Sequence, residues 1–305
     1  MHSDVQAAVV RLASQGIPPQ QIIALFKGIA SNASIYKWIK NSKDTDILPL
    51  KFDEKQLVRE REFYISAPGR YDARPRDNKI VLHHQPHYYA AERELWKDSE
   101  IRDKLITNRK QYLFKDQFTN AELLRGFKIS GIHTGYSHFS PLWIRKFVNE
   151  FGSKSIYDPC GGWGHRLIGA QFVNYHYNDL WDQSCTGAEK ISKFINADHI
   201  KITNNDCTVI ETTNDTCFTC PPYFNTEVYS NSFRDYDDYK EFIKLMYHKN
   251  KAPLWGIVIN NKFEQLIIDS FCSHTLVRKQ PLGKSYSHFT QQTKGNTESL
   301  LIFKQ

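Results

Sequence analysis

From about residue 136 onward the chain alternates, and the alternation leaves few folds open to it. Short apolar runs at 155–157, 175–177, 200–202, 216–219 and 256–259 are separated by stretches at 141–150, 165–172, 188–196, 236–247 and 262–271 that read as helices. The runs have strand length, and the stretches between them carry apolar residues at helical spacing. Strands joined by helical crossovers lie parallel, with helices covering both faces of the sheet. The expected fold class is therefore α/β, and a closing segment at 298–303 reads as a strand hairpinned to 276–278. In such sheets ligands bind at the carboxyl ends of the strands. Chemistry is to be sought just after each apolar run.

The 305 residues are enough for about two domains with a real core. A formal charge of +7 permits a polyanionic partner without demanding one. Six cysteines are too few for a disulfide scaffold, and Met1-His2-Ser3-Asp4 lacks the layout of a secretory signal. The longest apolar run, 254–259, is far short of the roughly 18–20 residues a bilayer span needs. These features read as a soluble protein of a reducing cytoplasm with no membrane partner.

Upstream of the α/β region two further segments are expected. Residues 1–41 place Val5, Ala8, Val9 and Leu12, then Ile22, Ile23, Leu25 and Phe26, then Ile35, Trp38 and Ile39 at helical spacing. Gly16-Ile17-Pro18 and Gly28 break the pattern, and Ser31 or Asn32 can cap the last helix. That layout resembles the helix-turn-helix units of transposases and resolvases. Its last helix would turn Asn32, Ser34, Tyr36, Lys37 and Lys40 toward a major groove and its phosphates. A small protein-interaction bundle is the alternative. Residues 42–135 read as a linker with a short helix at 54–62, then a connecting region with helices at 90–110 and 120–127. His83, His84 and His87 there fit a structured loop better than a metal site.

Two motifs stand at strand ends. After the first strand comes Asp158-Pro159-Cys160-Gly161-Gly162-Trp163-Gly164, an acid followed by Gly-x-Gly leading into a helix. Such a turn lets backbone approach a nucleotide-like ligand closely, although a plain strand-to-helix turn uses glycine equally well. Leu167 stands where a dinucleotide fingerprint wants its third glycine, and there is no Gly-Lys-Ser/Thr of a P-loop. After the fourth strand stands Cys220-Pro221-Pro222-Tyr223-Phe224. Two prolines stiffen the loop and remove two N–H donors, leaving carbonyls to accept, and an aromatic follows that could stack on a planar ring.

As a pair, the motifs resemble those of the S-adenosylmethionine-dependent DNA amino-methyltransferases, whose signatures read Asp-Pro-Phe-x-Gly-Ser-Gly and Asp/Asn/Ser-Pro-Pro-Tyr/Phe. The resemblance covers about residues 136–305. The Gly-Trp-Gly and Thr-x-Pro-Pro-Tyr-Phe forms look most like members from phages and mobile elements. It implies a Rossmann-like, seven-stranded, mostly parallel sheet behind the N-terminal helical unit, in a bacterial or phage-infected cell. It implies S-adenosyl-L-methionine as cofactor, with Asp158, Pro159, Gly162 and Gly164 at its methionine end and Asp179 (with Asp182 as rival) at its ribose. Asp206 would meet the adenine, and Phe139 and Ser140 would close over it. The target base would be flipped from duplex DNA, Tyr223 stacking on it while Cys220 and the Pro221 carbonyl accept from its amine, with Pro222 fixing the loop. Cytosine N4 or adenine N6 is the implied acceptor, and a cognate restriction nuclease the implied functional partner.

Cys220 departs from the family pattern, because a thiol accepts hydrogen bonds more weakly than an amide, carboxylate or hydroxyl. Two other readings stand beside the enzyme: a DNA-binding regulator whose methyltransferase domain is impaired with Cys220 as the lesion, and a methyltransferase of RNA or protein amides, which the Asn-Pro-Pro-Tyr form of the signature also serves. Cys220 as a covalent nucleophile fits poorly, since the cytosine-C5 enzymes use Pro-Cys and the order here is Cys-Pro-Pro. Cys217-x-x-Cys220 lacks a second ligand pair at zinc spacing, and no metal is expected.

Overall fold

The computed structural model describes Val5, Val9 and residues 19–35, 54–66, 79–85, 87, 90–114, 118, 120–132, 139–224, 233–284 and 297–305. They fall into two compact units, one made of 1–50 with 89–133 and the other of 51–88 with 134–305.

In the first unit Val9, Ile22 and Ile35 are fully buried, with Ile23, Phe26 and Ala30 packed around them. Ile22 lies on α1 (Pro19–Leu25), whose opening proline has no N–H to leave unpaired in the first turn. The chain reverses through Gly28 at φ 84°. The Ser31 hydroxyl then accepts from the Ser34 amide at 3.1 Å and caps helical residues 32–35. Asn32 is exposed; the Ser34 hydroxyl lies 2.9 Å from that of Ser31. Tyr36, Lys37 and Lys40 lie outside the described residues.

The same unit holds α4 (Ala90–Lys97), α5 (Ser99–Leu113) and α6 (Asn120–Ile129), packed on Trp96, Leu105, Leu123 and Phe127. The single helix expected over 90–110 is thus two. Asp98 leaves helical conformation (φ −72°, ψ 119°), and its carboxylate accepts from the amides of Glu100 and Ile101 at 2.9 and 3.2 Å. Capping a new helix outweighs continuing the old one.

The second unit is a seven-stranded sheet flanked by helices. Its strands are β1 (Ser155–Asp158), β2 (Asn174–Asp179), β3 (Lys201–Asn204), β5 (Thr216–Thr219), β7 (Leu254–Asn260), β8 (Thr275–Lys284) and β9 (Thr297–Lys304). They lie in the order β3-β2-β1-β5-β7-β9-β8. Pairing is parallel from β3 to β7, and β9 runs antiparallel to both β7 and β8. The alternation and the terminal hairpin read from the sequence are both present. A two-residue ladder, β4 (Thr212–Thr213) with β6 (Asn250–Lys251), stands apart from the main sheet.

Strand side chains alternate between two cores. Ile156, Phe218, Val258, Leu300 and Ile302 face one, while Tyr157, Cys217, Trp255, Ile257, Ile259, Leu301 and Phe303 face the other. The second core is covered by α10 (Tyr236–Lys249) and α11 (Glu264–Ser270). The first lies under α7 (Pro141–Phe151), α8 (His165–Gly169) and α9 (Asp182–Phe194). It is also covered by α2 (Glu54–Ser66) and α3 (Lys79–His84), which bury Leu57, Tyr64, Ile80 and Val81. Helix α9 begins six residues ahead of its expected start at 188, because Cys185, Gly187 and Ala188 are buried despite weak helix-forming neighbours.

Candidate active site at the rim between β1 and β5

The chain leaves β1 to build β2 and β3 on one side, then returns to place β5 on the other side of β1. Strand order therefore reverses between β1 and β5, the point at which open α/β sheets bind ligands. Tyr157 pairs with Cys217 in parallel register, so the glycine turn after Asp158 and the proline loop after Thr219 leave the sheet side by side.

The glycine turn is held rigidly. Gly162 and Gly164 have φ of 60° and 86°, the left-handed region that favours glycine. Gly161 donates to the Asn178 carbonyl at 2.7 Å, and a Cβ there would lie 2.2 Å from the Tyr177 ring. The Tyr177 hydroxyl donates to the Gly162 carbonyl at 2.5 Å. Asn178, fully buried, donates to the carbonyls of Pro159 and Asn205 at 3.1 and 2.9 Å, tying together the loops after β1 and β3.

Asp158 is buried beneath this turn. Its carboxylate accepts from Arg166 Nε at 2.6 Å, the Tyr175 hydroxyl at 2.5 Å and the Cys160 amide at 3.3 Å. Arg166 also donates to the Cys160 carbonyl and lies 5.6 Å from the Phe139 ring centroid. The Asp158 charge keeps the buried guanidinium firmly protonated against desolvation. The sequence marks neither Arg166 nor Tyr175; an arginine at the second position of a helix carries no local sign of an ion-pair partner.

Asp179, at the end of β2, faces the glycine turn. One carboxylate oxygen accepts from the Gly162 amide at 2.7 Å and the other from the Trp181 amide at 2.9 Å. Burial outweighs these bonds and pushes its pKa up to about 6. Its rival Asp182 is exposed in the first turn of α9. Asp206 is exposed on the loop after β3 and accepts from the Thr208 amide and hydroxyl at 2.8 and 2.7 Å. Nearby, Cys160 Sγ and Cys207 Sγ are 4.0 Å apart.

Phe139 meets Phe218 at 6.3 Å between ring centroids, which brings the segment before α7 to the same rim. Ser140 precedes Pro141 in extended conformation, without a side-chain capping bond. His87, Trp163 and Trp181 form a triangle with centroids 5.1, 4.8 and 5.7 Å apart. Burial lowers the His87 pKa to about 4, so the ring is neutral in ordinary buffers. Gln85, fully buried, donates to the carbonyls of Ser184 at 3.1 Å and Trp163 at 3.4 Å.

In the proline loop Pro221 is buried, while Cys220, Pro222 and Phe224 are half-buried. Only 6% of Tyr223 is exposed, and its ring lies in the core with Phe263 at 6.3 Å. Its hydroxyl donates to Glu298 at 3.1 Å and lies 3.5 Å from Cys220 Sγ. The structure thus brings the two motifs, Asp179 and Phe139 to one rim, and turns Asp158 and Tyr223 inward. Among the described residues no group of three or more His, Cys, Asp or Glu could hold a metal, and no helix is long and apolar enough to cross a membrane.

No family model matches the chain, and neither does any curated protein. Solved structures do. The chain is similar to TrmN from Thermus thermophilus (10% identity, TM-score 0.42) over 58% of its length and 51% of that protein, so it spans about half of it. It is similar to a S-adenosylmethionine-dependent methyltransferase from Clostridium acetobutylicum (12%, 0.40) over 54% and 89% of the two chains. The magnesium protoporphyrin IX methyltransferase of Synechocystis, solved with bound S-adenosylmethionine, is matched at 11% and 0.40 over 84% and 99%.

Proposed function

We propose that this chain is a S-adenosylmethionine-dependent methyltransferase acting on the exocyclic amine of a DNA base, cytosine N4 or adenine N6. The observation that carries the reading is the meeting of the glycine turn and the proline loop at the strand-order switch. The residues present suit the cofactor. A Cβ at Gly162 would have no atom nearer than 3.9 Å, so the turn is open on the side where backbone could approach a ligand. Each Asp179 oxygen accepts one amide, which leaves lone pairs for a vicinal diol. When bound, the sulfonium cofactor supplies an electrophilic methyl group.

The protein's task is then to hold and orient. Asp179 would take the ribose, Gly162 and Gly164 the methionine end, and Asp206 the adenine edge, with Phe139 and Ser140 closing the cleft. Asp158 acts at one remove, since its pairing with Arg166 stiffens the turn. Cys220 and the Pro221 carbonyl would accept from the amine and point its lone pair at the methyl carbon, a gain from orientation without a covalent intermediate. Asn32, and the neighbouring Ser34, Tyr36, Lys37 and Lys40, would contact duplex DNA.

A second reading, a DNA-binding regulator that holds cofactor without turnover, is favoured by the burial of Tyr223, which leaves little of its ring to stack on a base. Transfer of tritium from labelled cofactor to duplex DNA, RNA and protein separates the readings. Label in DNA amines is expected. Label in RNA or protein alone overturns the substrate, and cofactor binding with no transfer establishes the regulator.

A further inference from the structure

Resting on the methyl-transfer reading, we propose that Glu298 is a positioning and proton-accepting residue of the proline loop, acting through Tyr223 and Cys220. Glu298 stands at the start of β9, paired with Asn260 at the end of β7, which puts it on the same rim as Cys220 although 78 residues separate them in the chain. Three groups are in line: Cys220 Sγ is 3.5 Å from Tyr223 Oη, and Tyr223 Oη donates to Glu298 Oε1 at 3.1 Å. With the phenol's proton committed to Glu298, its oxygen accepts the Cys220 S–H, and the sulfur would meet an amine N–H as an acceptor. The chain of bonds thereby makes a weak acceptor at 220 more useful, and gives Tyr223 a role that needs its hydroxyl rather than an open ring face.

The step balances. The acceptor nitrogen bonds to the methyl carbon as the sulfonium S–C bond breaks, its electron pair staying on sulfur as a neutral thioether. The nitrogen, now cationic, gives a proton to Cys220 Sγ while the thiol proton passes to Tyr223 Oη and the phenol proton to Glu298. A cation and a carboxylate become a neutral amine and a neutral acid. Burial favours that end state, holding Glu298 above the usual glutamate range against the opposing bond from Tyr223.

The test needs no acceptor. Alkylation of Cys220 by iodoacetamide, followed by peptide mass spectrometry across pH in the full chain, should rise in one step with the thiolate. The ionised Glu298 carboxylate and the S–H bond to Tyr223 Oη hold that step at high pH. Glu298→Gln and Tyr223→Phe should each move it to lower pH. A profile shared by all three proteins overturns the relay. With any acceptor that the wild-type chain labels, Glu298→Gln should slow single-turnover transfer by about tenfold or more and abolish its acid limb, with cofactor Kd within about threefold. An unchanged rate and pH profile overturns the proposal. If the wild-type chain binds no cofactor, the methyl-transfer reading fails, while the thiol profile still decides whether the three groups are coupled.

Discussion

Asp179 and Asp158 are both carboxylates at strand ends, yet their surroundings give them opposite work. Asp179, held at about 6 by burial, is ionised less readily in the folded chain than in the unfolded one. Its contribution to stability is therefore present below pH 4 and lost as pH rises through about 6. Hydroxyl donors favour its charged form, so cofactor affinity should run the other way. Calorimetry should find binding about tenfold weaker at pH 5 than at pH 7.5, with proton release on binding near pH 6; a flat profile would place the ribose elsewhere. Asp158 and Arg166 form a buried pair at 2.6 Å. Arg166→Met should cost about 3–5 kcal/mol in denaturant unfolding, because it leaves a buried charge alone, and Asp158→Asn in the same chain should recover part of the loss. Equal losses in the single and double variants would deny the coupling. Of these residues the sequence pointed to the two acids, since each closes a strand, but not to Arg166, Tyr175, Asn178 or Glu298. Those four act through contacts 8 to 75 residues away, which no local pattern marks.

The two loops and the strands that carry them were legible because period and punctuation agree: an apolar run, then Gly-x-Gly or Pro-Pro. Less legible were α2 and α3, which cover one sheet face. The run Glu54–Ser66 is so charged that it reads as a solvated linker helix, although Leu57 and Tyr64 are buried. The segment 90–110 reads as one helix for the converse reason: the capping Asp98 is hidden inside an otherwise continuous helical pattern. Gly164→Ala forces a side chain into φ 86° and puts a Cβ 2.9 Å from the end of Ile191. The flexible Ile191 can yield, so strain should dominate, with a loss of about 1–2 kcal/mol in thermal or denaturant unfolding and weaker cofactor binding. Wild-type stability would show that the turn is not fixed as described.

The whole chain joins a helical unit to an α/β unit, with a net charge of +7. The buried set Val9, Ile22 and Ile35 forms a core separate from that of α4 to α6. If this segment contacts duplex DNA as proposed, deleting residues 1–41 should weaken DNA binding and flatten its dependence on salt, while the unfolding of the α/β unit is unchanged. Unaltered affinity would return that segment to a protein-interaction role.

Methyl transfer by this chain requires the rim between β1 and β5 to be a methyl-donor cleft, and calorimetric titration with S-adenosylhomocysteine tests that most directly. Saturable binding at one site per chain is expected, lost in Asp179→Ala and kept in Glu298→Gln. Absence of binding to the wild-type chain, or binding that Asp179→Ala leaves intact, would contradict it.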